Sequence, residues 1–154
     1  MARLEDKIQA KKFSSEWHKA TINIVYTHNW LTNLLEERAS KHDLTLQQFN
    51  VLRILRGQYP SPVKNSLLRE RMLTKTSDIS RLIDRIIAKD LVSRTSCDQD
   101  KRAVDLLITQ KGLDLLEEME NQMMLADVLP HNITEKQCME LNKLLDKFRG
   151  KDTL

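Results

Sequence analysis

The chain has 154 residues, a formal net charge of +3, 31% charged and 40% hydrophobic residues, and only three Gly and three Pro. That length suffices for one domain without metal or disulfide staples, and the composition argues against a disordered chain and for a mostly helical one. No run approaches the roughly 18 apolar residues of a membrane span and Met1–Lys7 has no apolar signal core, so a cytoplasmic protein is expected.

Charge is unevenly placed. Residues 53–102 hold twelve Lys/Arg against six Asp/Glu, and the remainder holds thirteen against sixteen. A basic middle between acidic flanks is the footprint of a polyanion-binding face on a scaffold that need not touch the ligand, although a solvated charged surface has similar numbers.

Residues from about Ser14 to Ser40 predict a long helix, because Trp17, Thr21, Ile24, His28, Leu31 and Leu35 recur every three or four positions. So long a stripe needs burial against other helices or a second subunit. Residues 1–12 add a short helix or fray. Thr45-Leu46-Gln47-Gln48 reads as a capping box that opens a second helix, with Phe49, Leu52 and Leu55 inward and an end near Gly57. Ser61 as N-cap and Pro62 as first helical residue predict a third, short helix through about Met72.

After the turn Leu73-Thr74-Lys75, the segment Thr76–Lys89 predicts a fourth helix with Ile79, Leu82, Ile83, Ile86 and Ile87 in one apolar stripe. Its opposite face begins with small polar side chains and becomes cationic: Ser77, Ser80, Arg81 and Asp84 share it, with Lys75 and Thr76 at the amino end. Leu91–Ser96 and Ala103–Ile108 have strand character and bracket the charged tip Cys97-Asp98-Gln99-Asp100-Lys101-Arg102, which predicts a β-hairpin. Thr109 caps a helix over about Gln110–Val128 with Leu113, Leu116, Met119 and Met123 on one face, ended by Pro130. Thr134-Glu135-Lys136-Gln137 is a second capping box, opening a last helix through Phe148.

Short helix, tight turn, second helix and hairpin is the order of a winged helix-turn-helix, in which the second helix enters the major groove. The runs Asp78–Ile86, Leu91–Arg94, Asp100–Ala103 and Leu107–Gly112 resemble the DNA-binding core of the MarR family, the multiple-antibiotic-resistance regulators. The resemblance extends to the long first helix and the two closing helices. It implies a mainly α fold with a small β-hairpin wing in a single domain over residues 1–154. About 45–108 would form the winged helix-turn-helix, and about 1–40 and 110–149 the dimerisation helices.

The same resemblance implies a homodimer on a pseudo-palindromic duplex. The base-reading role falls on Lys75, Thr76, Ser77, Ser80 and Arg81, with Arg85 nearby, and the wing role on Lys101 and Arg102, oriented by Asp100. One departure stands out, since the family usually places glycine after the recognition helix, whereas this chain has Lys89-Asp90-Leu91. Aspartate tolerates the left-handed backbone better than most residues. The bland alternative for Arg81 and Arg85 is surface pairing with Asp78, Asp84 or the wing acids, and for Lys101 a solvated loop charge.

Regulators resembling this family often sense a small phenolic or lipophilic molecule, and Trp17, His18, Tyr26, Trp30 and Phe49 lie in segments that line such a crevice, although aromatics at helical spacing are more often core or interface. His28 reads as a buried or interfacial histidine, and with His18, His42 and His131 it makes no ligand spacing, so no metal or cofactor is expected. Cys97 adjoins the wing tip, where oxidation would displace the arginines, so a redox-responsive regulator is one alternative. Cys138 reads as an inert small hydrophobe on an inward position of the last helix. A helical protein-binding adaptor without DNA binding is the other alternative. No phosphate loop, nucleophile elbow or HExxH run occurs, and the expectation is that the chain is not an enzyme.

Overall fold

A computed structural model describes residues 3–9, 12–72, 79–96 and 104–151. Lys75, Thr76, Ser77, Cys97, Asp100, Lys101 and Arg102, on which several expectations fall, lie outside the described residues. The chain divides into two units, Met1–Phe49 and Asn50–Leu154, with the division inside a helix.

The first unit opens with the short helix α1 (Leu4–Ile8) and continues with the long helix α2 (Glu16–Ser40). Ser15 caps α2, its hydroxyl accepting from the His18 N–H at 3.1 Å. Glu5 of α1 pairs with Lys19 of α2 at 2.5 Å, and the Lys19 ammonium lies 5.7 Å from the centre of the Phe13 ring. These contacts tie α1 to the first turn of α2. The far end of α2 closes in a Schellman turn with Asp43 at φ 56°, the N–H groups of Asp43 and Leu44 donating to the carbonyls of Ser40 and Ala39. The capping box at Thr45 is formed as expected: Gln48 N–H reaches the Thr45 hydroxyl at 3.2 Å and Thr45 N–H reaches the Gln48 side-chain oxygen at 2.9 Å. It opens α3 (Leu46–Arg56).

The second unit is a helical body around a small sheet. After α3 come β1 (Val63–Lys64), α4 (Asn65–Arg71), α5 (Ile79–Ile87), β2 (Val92–Ser96), β3 (Val104–Ile108), α6 (Gln110–Met123), α7 (Leu129–Asn132) and α8 (Glu135–Arg149). The sheet is antiparallel in the order β1-β3-β2, with Val63 opposite Leu106, Lys64 opposite Asp105, and Val92 opposite Ile108. Strands β2 and β3 are the expected hairpin. Strand β1 corrects the expected third helix, which begins at Asn65 instead of after Ser61, because the backbone of Val63 and Lys64 pairs with β3 and stays extended. A helix cannot start where its first residues are committed to a ladder.

Helix α5 packs on β2, and α4 on β1 and β3. The stripe of α5 is buried at Ile79, Leu82, Ile83 and Ile86, each contributing roughly 1.5–3 kcal/mol of burial. Val63, Leu68, Val92, Leu106 and Ile108 are buried with it. Helix α6 is shorter than its pattern suggested. It stops at Met123 because Leu125 turns left-handed at φ 55°, and the N–H groups of Leu125 and Ala126 take the carbonyls of Gln122 and Asn121. Pro130 then sits in the first turn of α7, where it lacks no needed donor. The capping box of Thr134 opens α8 as expected. Among the described residues no helix is long and apolar enough to cross a membrane, and no group of three or more metal-ligating side chains gathers.

Candidate nucleic-acid interface

Burial of one side of α5 dictates what its other side offers. With Ile79, Leu82, Ile83 and Ile86 inward, Ser80, Arg81, Asp84 and Arg85 are all exposed. The structure thus brings three expected contact residues, Ser80, Arg81 and Arg85, onto one outward face, with a short hydroxyl side chain beside two long cations. Such a face suits a groove, since the small residue lets the backbone approach and the guanidinium groups reach phosphates or base edges.

The one acid on that face among the described residues, Asp84, is compensated. Asp84 accepts a hydrogen bond from the Arg94 guanidinium, which reaches over from β2. Both side chains are more than half exposed, so the pair adds little stability. Its electrostatic consequence is larger: it cancels the negative charge that Asp84 adds to an otherwise cationic face. Arg94 belongs to the site for this reason, and its place next to Asp84 arises only when β2 packs on α5.

The far end of α5 is closed by residues from two elements. Asp90 adopts φ 59°, the left-handed conformation that the family resemblance led us to expect at this position, and the N–H groups of Asp90 and Leu91 take the carbonyls of Ile87 and Ile86 at 2.8 and 3.1 Å. The carbonyls of the turn itself are received by the start of α6. Lys111 Nζ donates to Lys89 O at 2.8 Å, Thr109 Oγ1 to Asp90 O at 2.7 Å, and Thr109 N–H to Leu91 O at 3.1 Å. Thr109, Lys111 and Gly112 were legible only as a cap and as part of a family motif; their partners lie about 20 residues away in sequence.

The remaining expected residues are placed as follows. Trp17 is 82% exposed and His18 is exposed, with Ser14 Oγ 3.0 Å from its Nδ1. Tyr26 and Trp30 stand one turn apart on α2 and are partly exposed, whereas Phe49 is buried. Nine residues separate Trp17 from Tyr26, half a turn out of phase, so these two project from opposite sides of α2. His28 is exposed and Cys138 half-buried.

The profile of the MarR family matches residues 44–104, which run from the end of the first unit through α4, α5 and β2 to the start of β3. The chain is 30% identical over 109 residues to the HTH-type transcriptional regulator MgrA of Staphylococcus aureus, covering 70% of this chain and 71% of that protein. The chain belongs to the MarR family. This family consists in general of non-enzymatic transcription regulators with a DNA-binding winged helix. A second relative, the HTH-type transcriptional repressor MdtR of Bacillus subtilis, is 34% identical over 76 residues, and the chain spans about half its length, 48%. Among solved structures, a mutant of MarR from E. coli complexed with operator DNA superimposes with a TM-score of 0.71 at 25% identity, covering 95% of this chain and 98% of that one. The MarR fold accounts for the mostly helical architecture with a small three-stranded sheet.

Proposed function

We propose that this MarR-family chain binds duplex DNA sequence-specifically as a homodimer and represses transcription by occluding a promoter. The observation that carries the reading is the outward face of α5, where Ser80, Arg81 and Arg85 stand exposed opposite the buried Ile79, Leu82, Ile83 and Ile86, and the one acid among the described residues of that face, Asp84, is paired with Arg94. The likeness to a MarR bound to operator DNA supports placing that face in a major groove. Lys75, Thr76 and Ser77 extend the contact at the amino end of α5, and Lys101 and Arg102, oriented by Asp100, reach the flanking minor groove.

Association with a second copy is supported by apolar side chains that one chain leaves in water. Trp17, Val25 and Trp30 on α2 are exposed, as are Met139, Leu141, Leu144 and Phe148 on α8. No residue of α8 is buried in the single chain. Faces of this kind are normally covered. A two-fold dimer would set its two recognition helices about one helical turn of DNA apart. Release of the DNA by a phenolic or lipophilic molecule belongs to the same proposal and rests on the likeness to the family alone. A DNA reader acts where the chromosome is, which agrees with a cytoplasmic protein.

Selection of binding sequences from a random duplex pool tests the reading. Enrichment of a pseudo-palindrome bound by a dimer is expected; recovery of no enriched sequence at low salt overturns it. A thermal-shift screen with phenolic and lipophilic compounds, followed by measurement of DNA release, tests the effector.

A further inference from the structure

The turn leaving α5 and the first turn of α6 form a single polar joint. Five carbonyls at the end of α5 have donors: those of Ile86 and Ile87 from the turn's own N–H groups, and those of Lys89, Asp90 and Leu91 from Lys111 and Thr109. Thr109 uses its hydroxyl twice, donating to Asp90 O at 2.7 Å and accepting from Gly112 N–H at 3.1 Å as the N-cap of α6. The two helix ends also touch without slack. A Cβ on Gly112 would lie 2.4 Å from Leu91 O and 2.8 Å from Ile108 Cγ1, so the backbones meet as closely as glycine allows.

We propose that Thr109 and Lys111 are positioning residues for DNA reading: they couple the carboxyl end of α5 to α6, so that the orientation of α6 sets that of the recognition helix. The inference rests on the reading above that α5 reads duplex DNA and that α6 belongs to the dimerising part. Helix α5 is nine residues long, about 13 Å, so a tilt of about 10° at its joint displaces its amino end by about 2 Å. That displacement breaks the geometry of a base contact and leaves a flexible phosphate contact largely intact. The joint therefore governs how strictly a dimer measures the distance between half-sites, more than how strongly it holds DNA.

Four variants separate the roles of these side chains. Thr109→Ser keeps both hydrogen bonds. Thr109→Asp keeps a good N-cap acceptor but has no proton to donate to Asp90 O, and Lys111→Met keeps the apolar stem without the donor. The double variant Thr109→Asp/Lys111→Met removes both donors. The probe is the duplex enriched from the random pool, together with versions whose half-sites are moved by one and two base pairs, and thermal unfolding is followed in parallel. The intact protein and Thr109→Ser should prefer the enriched spacing by about tenfold, the order of one lost base contact. In the double variant the preference should fall below about threefold, with an unchanged salt slope. A folded double variant with the parent's spacing profile overturns the proposal, as does a parent that is indifferent to spacing. If the double variant fails to fold, Lys111→Met alone decides by the same criterion. Failure to enrich any duplex instead overturns the DNA-reading function itself.

Discussion

Arg94 on β2 donates to the carboxylate of Asp84 on α5, so the strand supplies the cation that neutralises the one acid on the exposed face of α5 among the described residues. Removing Arg94 leaves Asp84 facing phosphates. Arg94→Ala should weaken DNA binding by about tenfold, or ~1.4 kcal/mol, while thermal stability shifts little, as for other exposed pairs. Adding Asp84→Asn should recover most of the loss. Fluorescence anisotropy on the single and double variants measures this, and a double variant no better than Arg94→Ala would show that Arg94 acts otherwise.

Gly112 faces Leu91 O with no room for a side chain. Gly112→Ala must push α6 away from the turn after α5, a backbone clash that no rotamer relieves. The expected cost is about 1–3 kcal/mol, a fall in Tm of several degrees for a chain of this size. Calorimetry of the variant tests the close approach, and an unchanged Tm would refute it.

Arg81 and Arg102 should differ in kind. Arg81→Ala is expected to cost roughly 1–3 kcal/mol on the enriched duplex and to relax selectivity at one or two positions. Arg102→Ala should weaken binding to all duplexes more evenly and lower the salt slope by about one unit. Titrations at several salt concentrations against specific and random duplex distinguish the two.

Acid should loosen α1. The Glu5 carboxyl is held below its ordinary value of 4.5 first by the hydrogen bond from Lys19 and then by its own backbone N–H, which together outweigh the opposing desolvation, with smaller help from the charges of Lys19 and Arg3. A carboxyl with a depressed folded value stabilises fully above 4.5, and that contribution disappears as pH falls through the lowered value. An NMR titration of the Glu5 side-chain carbon should show the depressed midpoint, returning toward the ordinary one in Lys19→Met.

The elements whose causes are local were legible from residue order. Capping boxes at Thr45 and Thr134 and the cap at Thr109 depend on partners within four residues, and the stripe of α5 announces its buried side by spacing alone. Asp90 was expected in the left-handed region because its motif position demands it, and it is found there. Strand β1 was missed because Val63 and Lys64 are extended only by pairing with Leu106 and Asp105, some 40 residues on. The end of α6 was misplaced because Leu125, a residue ill suited to a positive φ, turns there with its side chain buried. Packing outweighed intrinsic preference at that point.

By itself the sequence determined the order of helices and hairpin, the buried side of α5 and hence which polar residues face outward, since these follow from periodicity and contacts a few residues apart. Only the tertiary structure decided that Arg94 neutralises Asp84, that β1 completes the sheet, and that Thr109, Lys111 and Gly112 hold the end of the recognition helix. Each of these joins groups 10 to 43 residues apart. Distance and direction between such groups are set by the packing of whole elements, which no local pattern encodes.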